Sequence, residues 1–345
     1  MNGAAPGRET DPAMPSILHN LPGISMPVSH ISRNLRQMWM ADPGTQDTPP
    51  SDFRASQLNL VIHLGEDTST GEALAIFTTG IHFGQRYPCR IVMLCPQRNG
   101  HPAGAAIESK LFTQCYIGDT HRQMCCCEVI MLGYDPAEPH MLFNLVSIWL
   151  ESDLPVFHWF HRVPENQVRN RHLSFVRASR RVIFDSGIDS IDLRDIPTPD
   201  PSKIHDLAAA RTLPIRQSVG QILSTYDPSE IIRGIRGAHI LCHPKMRAEA
   251  VRFSEWIEDG LKQCVTRSGS TATVPVSVID SPDHDSPFEI RFDYAEDTRV
   301  FSWRLLPAQT EASIRCQIGT RIIENLVSIR LPDSASTLAE TMFFG

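Results

Sequence analysis

Unbroken apolar runs of strand length alternate with stretches of helical period through the first half of the chain. "LNLVIHL" (58–64) and "CRIVMLC" (89–95) are continuous runs, the pattern of strands covered on both faces. Between them Ser69 and Glu72 have the spacing of a capping box, ahead of a helix carrying Leu74, Phe77 and Ile81. Strand, helix and strand in that order predict a βαβ unit with a parallel pair. "AIESKLFTQCYI" alternates, and "CCCEVIML" reads as a further strand. "PHMLFNLVSIWL" (139–150) reads as an apolar helix, "LPVFHWFH" (154–161) as an aromatic strand, 165–178 as an Arg-rich helix, and "RVIFDS" (181–186) as a closing strand. Ahead of these, Ile31, Leu35, Met38 and Trp39 predict a helix over about 29–41.

"IPTPDPS" (196–202) carries three prolines in seven residues and is the expected domain boundary. After it, Ile215, Val219, Ile222, Leu223 and Tyr226 share the stripe of a helix over about 203–226. "AHILCH" predicts a strand, and Met246, Ala250, Phe253, Trp256, Ile257 and Leu261 mark a long helix over 245–265. "VPVSVI", "FEIRFDY", "RVFSWRLL", "ASIRCQIG" and "ENLVSIRL" then read as strands, and Ser334 as the cap of a final helix. The expected fold class is α/β. An N-terminal α/β domain with a Rossmann-like mixed sheet (29–196) follows a flexible tail (1–28), and an α+β domain with an antiparallel sheet (197–345) completes the chain.

Composition narrows the function. A chain of 345 residues with 41% hydrophobic and 21% charged positions suits a globular protein of two domains. A net charge of -7 argues against general nucleic-acid binding. No run of 18 apolar residues and no basic-then-apolar leader is present, so a cytoplasmic location is expected. Of the 32 basic residues 28 are arginine, the side chain suited to bidentate recognition of phosphate or carboxylate and to protein interfaces. The densest basic segment is Arg162, Arg169, Arg171, Arg177, Arg180 and Arg181. It reads either as a solvated helix face or as a site for a sugar phosphate or an acidic partner surface.

Phosphate-binding and hydrolase motifs are missing. There is no G-x-G-x-x-G after a strand, no G-x-x-x-x-G-K-[ST], no H-E-x-x-H and no G-x-S-x-G. The turn "LGEDTSTGE" (64–72) has the wrong glycine spacing for a pyrophosphate and carries acids where phosphate would sit. No cofactor is expected, and a scaffold or regulator is favoured over an enzyme. The alternative is a nucleotide- or sugar-phosphate-binding enzyme or sensor with a non-standard site using Asp153, His158 and the Arg segment.

Three adjacent cysteines, Cys125, Cys126 and Cys127, open the "CCCEVIML" strand. Cys125 and Cys127 would share a face with Val129, and Cys126 the other with Glu128 and Ile130, so they cannot all ligate one metal. Core packing, a redox-sensitive thiol with a distant partner, and metal or catalytic use are the three readings. Nine cysteines in all, an odd number, are expected to be mostly reduced thiols. Glu128, bracketed by apolar residues, is either paired with an arginine or a polar anchor in an interface or pocket. His158 and His161 face opposite sides of their strand, which disfavours a shared metal. Trp159, Phe157 and Phe160 are core or a binding surface.

The ordered series "LNLVIHL", "YPCRIVML", "CCEVIML", "SDLPVFHWF" and "RRVIFDS" resembles the first domain of the OpcA family, the glucose-6-phosphate dehydrogenase assembly proteins. Beyond the boundary, Asp206, Leu207, Arg211 and Arg216 match an Asp-Leu-x-x-x-Arg-x-x-x-Trp-Arg segment, with Ile215 in place of its tryptophan, and Trp256 matches in the following helix. Cys126, Cys127 and Glu128 stand where the family has Cys-Gly-Glu, and His158-Trp159-Phe160 where it has paired tryptophans. The resemblance implies a non-catalytic assembly factor or allosteric activator of glucose-6-phosphate dehydrogenase, in the oxidative pentose phosphate pathway. In the cyanobacterial branch it also implies a redox link to thioredoxin. The residues it suggests for partner contact are Glu128, Asp153, His158, Trp159, Arg211, Arg216 and Trp256, with Cys125, Cys126 and Cys127 as thiols for redox control.

Overall fold

The structure is a computed structural model that describes residues 16–38, 56–97, 107–117, 124–136, 141–189, 192–196, 198, 200–281 and 285–344. The chain forms two compact units, residues 1–184 with 191–204 and residues 185–190 with 205–345. Both are built on mixed sheets.

In the first unit, β1 (Ile24–Ser25), β2 (Leu58–Leu64), β3 (Cys89–Pro96), β4 (Glu108–Ile117), β5 (Met124–Tyr134), β6 (Val156–His161) and β7 (Arg181–Phe184) lie in the order β1-β4-β5-β3-β2-β6-β7. A short β8 (Ile204–Asp206) ends this order where the chain passes between the units. Strands β5, β3, β2, β6 and β7 run parallel, and β4 is antiparallel to β5. All seven residues of β2 are buried, the polar Asn59 and His63 with the five apolar ones, as a strand covered on both faces requires. Helix α3 (Thr70–Arg86) is the crossover from β2 to β3. The passage from β3 to β5 is made by the strand β4, where a doubly wound fold would use a helix. Ile130, Leu132, Val61, Val92 and Phe160 share one core with Val168 and Phe175.

Several boundaries differ from the sequence expectation. Part of the expected tail is ordered: α1 (Ile17–Asn20) and β1 bury Ile17, Leu18 and Leu21 and pair β1 with β4, whereas residues 1–15 lie outside the described residues. Helix α2 (Val28–Met38) takes the place expected for the first helix, with Trp39 outside the described residues. The apolar helix shortens to α4 (Leu142–Ser147). The Arg-rich helix breaks at His172 into α5 (Glu165–Arg171) and α6 (Leu173–Ala178).

In the second unit, α7 (Leu207–Arg211) and α8 (Leu213–Leu223) replace the single helix expected over 203–226, because Pro214 cannot donate to the preceding turn. Then come α9 (Pro228–Ile232), β9 (Ile235–Cys242), α10 (Arg247–Arg267), β10 (Val276–Asp280), β11 (Phe288–Tyr294), β12 (Val300–Leu305), β13 (Glu311–Ile318), β14 (Arg321–Ser328) and α11 (Ser334–Phe343). The sheet order is β10-β9-β11-β12-β13-β14. β10 joins β9 in parallel, so the sheet is mixed where an antiparallel one was expected. Phe253 of α10 meets Phe288 edge-on at 5.7 Å, and Phe288 meets Trp303 at 6.5 Å. Asp333, one residue ahead of Ser334, caps α11 by accepting from the Ser336 amide.

Candidate functional site

In open sheets with parallel strands, ligands bind outside the carboxyl ends of the strands where the strand order reverses. Here the chain leaves β2 toward β3 on one side and later returns to β6 on the other. The reversal lies between the turns after β2 and after β6. Gly65 donates its amide to the His161 carbonyl at 2.7 Å, and a Cβ at Gly65 would lie 1.8 Å from the Arg162 carbonyl oxygen. Only glycine permits that approach. Arg162 takes a left-handed backbone (φ 54) and sends its guanidinium across the crevice to Glu72. Its Nε and Nη2 donate to Glu72 Oε1 at 2.9 and 2.6 Å.

Glu72 also closes the capping box of α3, accepting from the Ser69 amide at 3.0 Å, while Ser69 Oγ accepts from the Glu72 amide at 3.2 Å. Burial pushes this carboxyl up, but the Arg162 and Ser69 hydrogen bonds outweigh it and hold the pKa at about 2. Gln167 donates to Glu66 beside it at 2.9 Å. A helix N-terminus at this point is where a nucleotide phosphate would dock. In this chain the protein's own carboxylate occupies that end, already matched to its arginine. A phosphate would have to displace Glu72 and meet its charge.

Beneath the crevice are three buried histidines, of which the sequence drew attention to only one. His63 Nε2 and His158 Nδ1 are 2.9 Å apart, with His172 beside them at 5.2 Å between rings. Phe160 stacks on His63 at 4.2 Å, and Phe175 meets it edge-on at 4.8 Å. Burial lowers the pKa of all three: His63 well below its ordinary value, His158 to about 3, and His172 to about 4 with help from Arg171. They are neutral imidazoles within the aromatic core. Among the described residues no group of His, Cys, Asp and Glu is arranged to hold a metal ion.

The second unit holds its own polar cluster. Arg211 grips Asp185 with both terminal nitrogens, Nη1 to Oδ2 at 2.9 Å and Nη2 to Oδ1 at 2.8 Å, and donates through Nε to Glu249. Asp206 caps α7 through the Ala208 amide at 2.9 Å, accepts from the Ser186 amide at 3.1 Å, and pairs with Arg252 at 2.9 Å. Burial pushes the Asp206 carboxyl up, while its amide donors oppose the shift. Acid and arginine five residues apart thus fix the start of the helical layer to the segment at 185–187.

Residues 82–197, about a third of the chain, match the family model described as the glucose-6-phosphate dehydrogenase subunit N-terminal domain. Over those residues the chain is similar to the OpcA family of glucose-6-phosphate dehydrogenase assembly proteins. No curated protein matches the chain.

The residues suggested by the OpcA resemblance differ in exposure and in their partners. Glu128 is 3% exposed and accepts from Arg90 Nε at 2.8 Å. Arg90 also donates to the Trp149 carbonyl at 2.6 Å and pairs with Glu151 at 2.9 Å. Of the two readings of Glu128, the internal arginine pair is the one formed. His158 and Trp159 are buried too, so none of these three side chains is open to a partner in this state. Asp153 is exposed, beside an open polar depression lined by Ser56, Glu151 and Leu154. Arg211 is committed to Asp185 and Glu249. Arg216 is half-buried, donating to the Ala209 carbonyl at 3.3 Å, and burial lowers its pKa. Ile215, at the expected tryptophan position, is fully in the core. Trp256 is half-buried against Phe253, ring centroids 5.2 Å apart.

The cysteines divide as strand parity requires. Cys126 is bonded to Cys115, its cross-strand neighbour on β4, in a disulfide. Cys127 is buried on the opposite face, where a Cβ at Gly84 of α3 would come within 2.6 Å of its sulfur. That contact explains a glycine inside α3. The Cys125 backbone pairs with Tyr116, and its side chain lies outside the described residues. Glu72 and the Arg162 segment stood out in the sequence separately. What sequence could not show was their contact, or the approach of His63 and His172 to His158, since strand order and helix docking, not spacing along the chain, bring these side chains together.

Proposed function

We propose that the chain is a non-catalytic binding partner of glucose-6-phosphate dehydrogenase, promoting its assembly or shifting it allosterically toward an active state. The OpcA-family match of residues 82–197 carries this reading. The switch point of the first sheet supports it, because the Glu72–Arg162 pair fills the place a phosphate would need. A protein that binds one state of the dehydrogenase more tightly shifts the population to that state by its differential affinity. Binding is proposed through the exposed Asp153 and the half-buried Arg216 and Trp256; Arg211 is half-buried too but is committed to Asp185 and Glu249. Thioredoxin is proposed to act as a regulator through Cys115–Cys126, whose Cys115 is exposed on β4. The pathway setting and a cytoplasmic location follow from the partner; among the described residues no helix is long and apolar enough to cross a membrane.

The test is a coupled NADPH assay of the same organism's dehydrogenase, titrated with this chain, with and without a dithiol, alongside size-exclusion chromatography. A saturable rise in kcat/KM with co-elution is expected. No change in rate and no co-elution would sink the proposal. A rate change that depends on the dithiol would assign a role to Cys115–Cys126.

A further inference from the structure

Among the described residues β14 is the last strand of the second sheet, with β13 as its one neighbour. Its residues are mostly exposed along its whole length. The Ile329 amide donates to the Thr310 carbonyl at 2.8 Å, just beyond the ladder that pairs Ala312 with Val327, Ile314 with Asn325 and Cys316 with Ile323. Hydrogen-bonded and non-hydrogen-bonded pairs alternate in an antiparallel ladder. Ile323, Asn325 and Val327 therefore bond inward to β13. The N–H and C=O groups of Ile322, Glu324, Leu326 and Ser328 point away from the sheet.

Those outward residues also carry the solvent face. Ile323 and Val327 pack on the core, so by strand alternation Ile322, Glu324 and Leu326 project the other way. Ile322 and Leu326 are each 64% exposed. Their β13 neighbours on that face, Gln317 and Ser313, are polar, and Glu324 lies between them, paired with Arg315 of β13 at 3.2 Å. An exposed edge strand of this length normally carries unpaired charges or prolines that block further pairing. Here the central charge is matched within its own sheet, and two large aliphatics flank it symmetrically.

We propose that β14 is a self-association edge, pairing antiparallel with β14 of a second copy about a two-fold axis at Glu324. Ile322 then stands opposite Leu326 of the second copy, and Leu326 opposite its Ile322. Each pair exchanges both backbone hydrogen bonds through the groups that point away from β13. The occupant is a second copy because the strand is its own complement: its aliphatics meet each other only when the same spacing returns in reverse. The Glu324–Glu324 opposition at the axis is offset by Arg315 on both sides. The interface is isologous and closes as a dimer.

The test uses the full chain. Sedimentation velocity over a concentration series is expected to show a reversible dimer. Hydrogen–deuterium exchange across the same series reads the strand directly. The amides of Ile322, Glu324 and Leu326 become protected as the dimer forms, while Ile323 and Asn325, bonded to β13, are protected throughout. Ile322→Lys with Leu326→Lys sets like charges opposite each other twice and should raise the dissociation constant at least about tenfold. A monomer at every concentration would overturn the proposal. So would a dimer of unchanged affinity in the double variant, or protection that appears only when another protein is added. Should the double variant fail to fold, the alternating protection in the unmodified chain decides.

Discussion

Arg90→Ala isolates the role of the buried acid. Glu128 lies in β5 with its side chain 4% exposed, and Arg90, directly opposite on β3, supplies its charge partner. Arg90 is itself 7% exposed and makes two further bonds, to the Trp149 carbonyl and to Glu151. Truncation leaves Glu128 buried without that counter-charge and removes the donor to Trp149. Breaking one side of a buried pair costs about 3–5 kcal/mol, against a total stability of roughly 5–15 kcal/mol for an ordinary domain. Replacing both residues, Arg90→Met with Glu128→Leu, should return most of that loss, because the desolvation cost disappears with the charges. The assay is urea unfolding of the single and double variants, followed by far-ultraviolet circular dichroism and by the exchange of β3 and β5 amides. A cost under about 1 kcal/mol for Arg90→Ala, typical of exposed pairs, would refute the reasoning. So would a double variant no better than the single one. If instead Glu128→Gln folds normally yet loses dehydrogenase binding, Glu128 acts at an interface and the structural account is wrong.

Acid should weaken the first unit through its histidines. His63, His158 and His172 have pKa values below the 6.5 of an unfolded histidine, with His172 at about 4 and His158 at about 3. Between those limits the unfolded chain binds more protons, so stability is full above about pH 6.5 and falls as pH drops toward 4 and then 3, by up to about 1.4 kcal/mol per pH unit for each group. His158→Leu should flatten this slope in urea titrations at stepped pH, and an unchanged slope would remove the histidines as its source. Gly65→Ala should cost more than about 3 kcal/mol, beyond ordinary overpacking, because the new Cβ meets backbone at 1.8 Å; a normally folded variant by thermal melt would show that the approach can relax.

The hydrophobic pattern was enough to place most strands, the α3 capping box, the parallel β2–β3 pair and the long α10, because period and capping are local properties of a few consecutive residues. It also separated the faces of Cys126 and Cys127. It failed where a local signal met a tertiary one. Residues 16–25 look like tail by composition, yet Ile17, Leu18 and Leu21 are buried in the first unit. The stripe over 203–226 hid a strand and a helix break.

What the chain alone determined is the alternation of elements, the absence of a glycine-rich phosphate turn, and a series of segments similar to the OpcA family. What only the tertiary structure decided is which charges meet. Arg162 reaches Glu72 across 90 residues, Arg90 reaches Glu128 across 38, and His63 meets His158 across 95. Such pairings depend on strand order and register, which emerge when separate apolar runs bury one another. No spacing along the chain encodes them, so buried His158 and Trp159 could look like surface residues in the sequence.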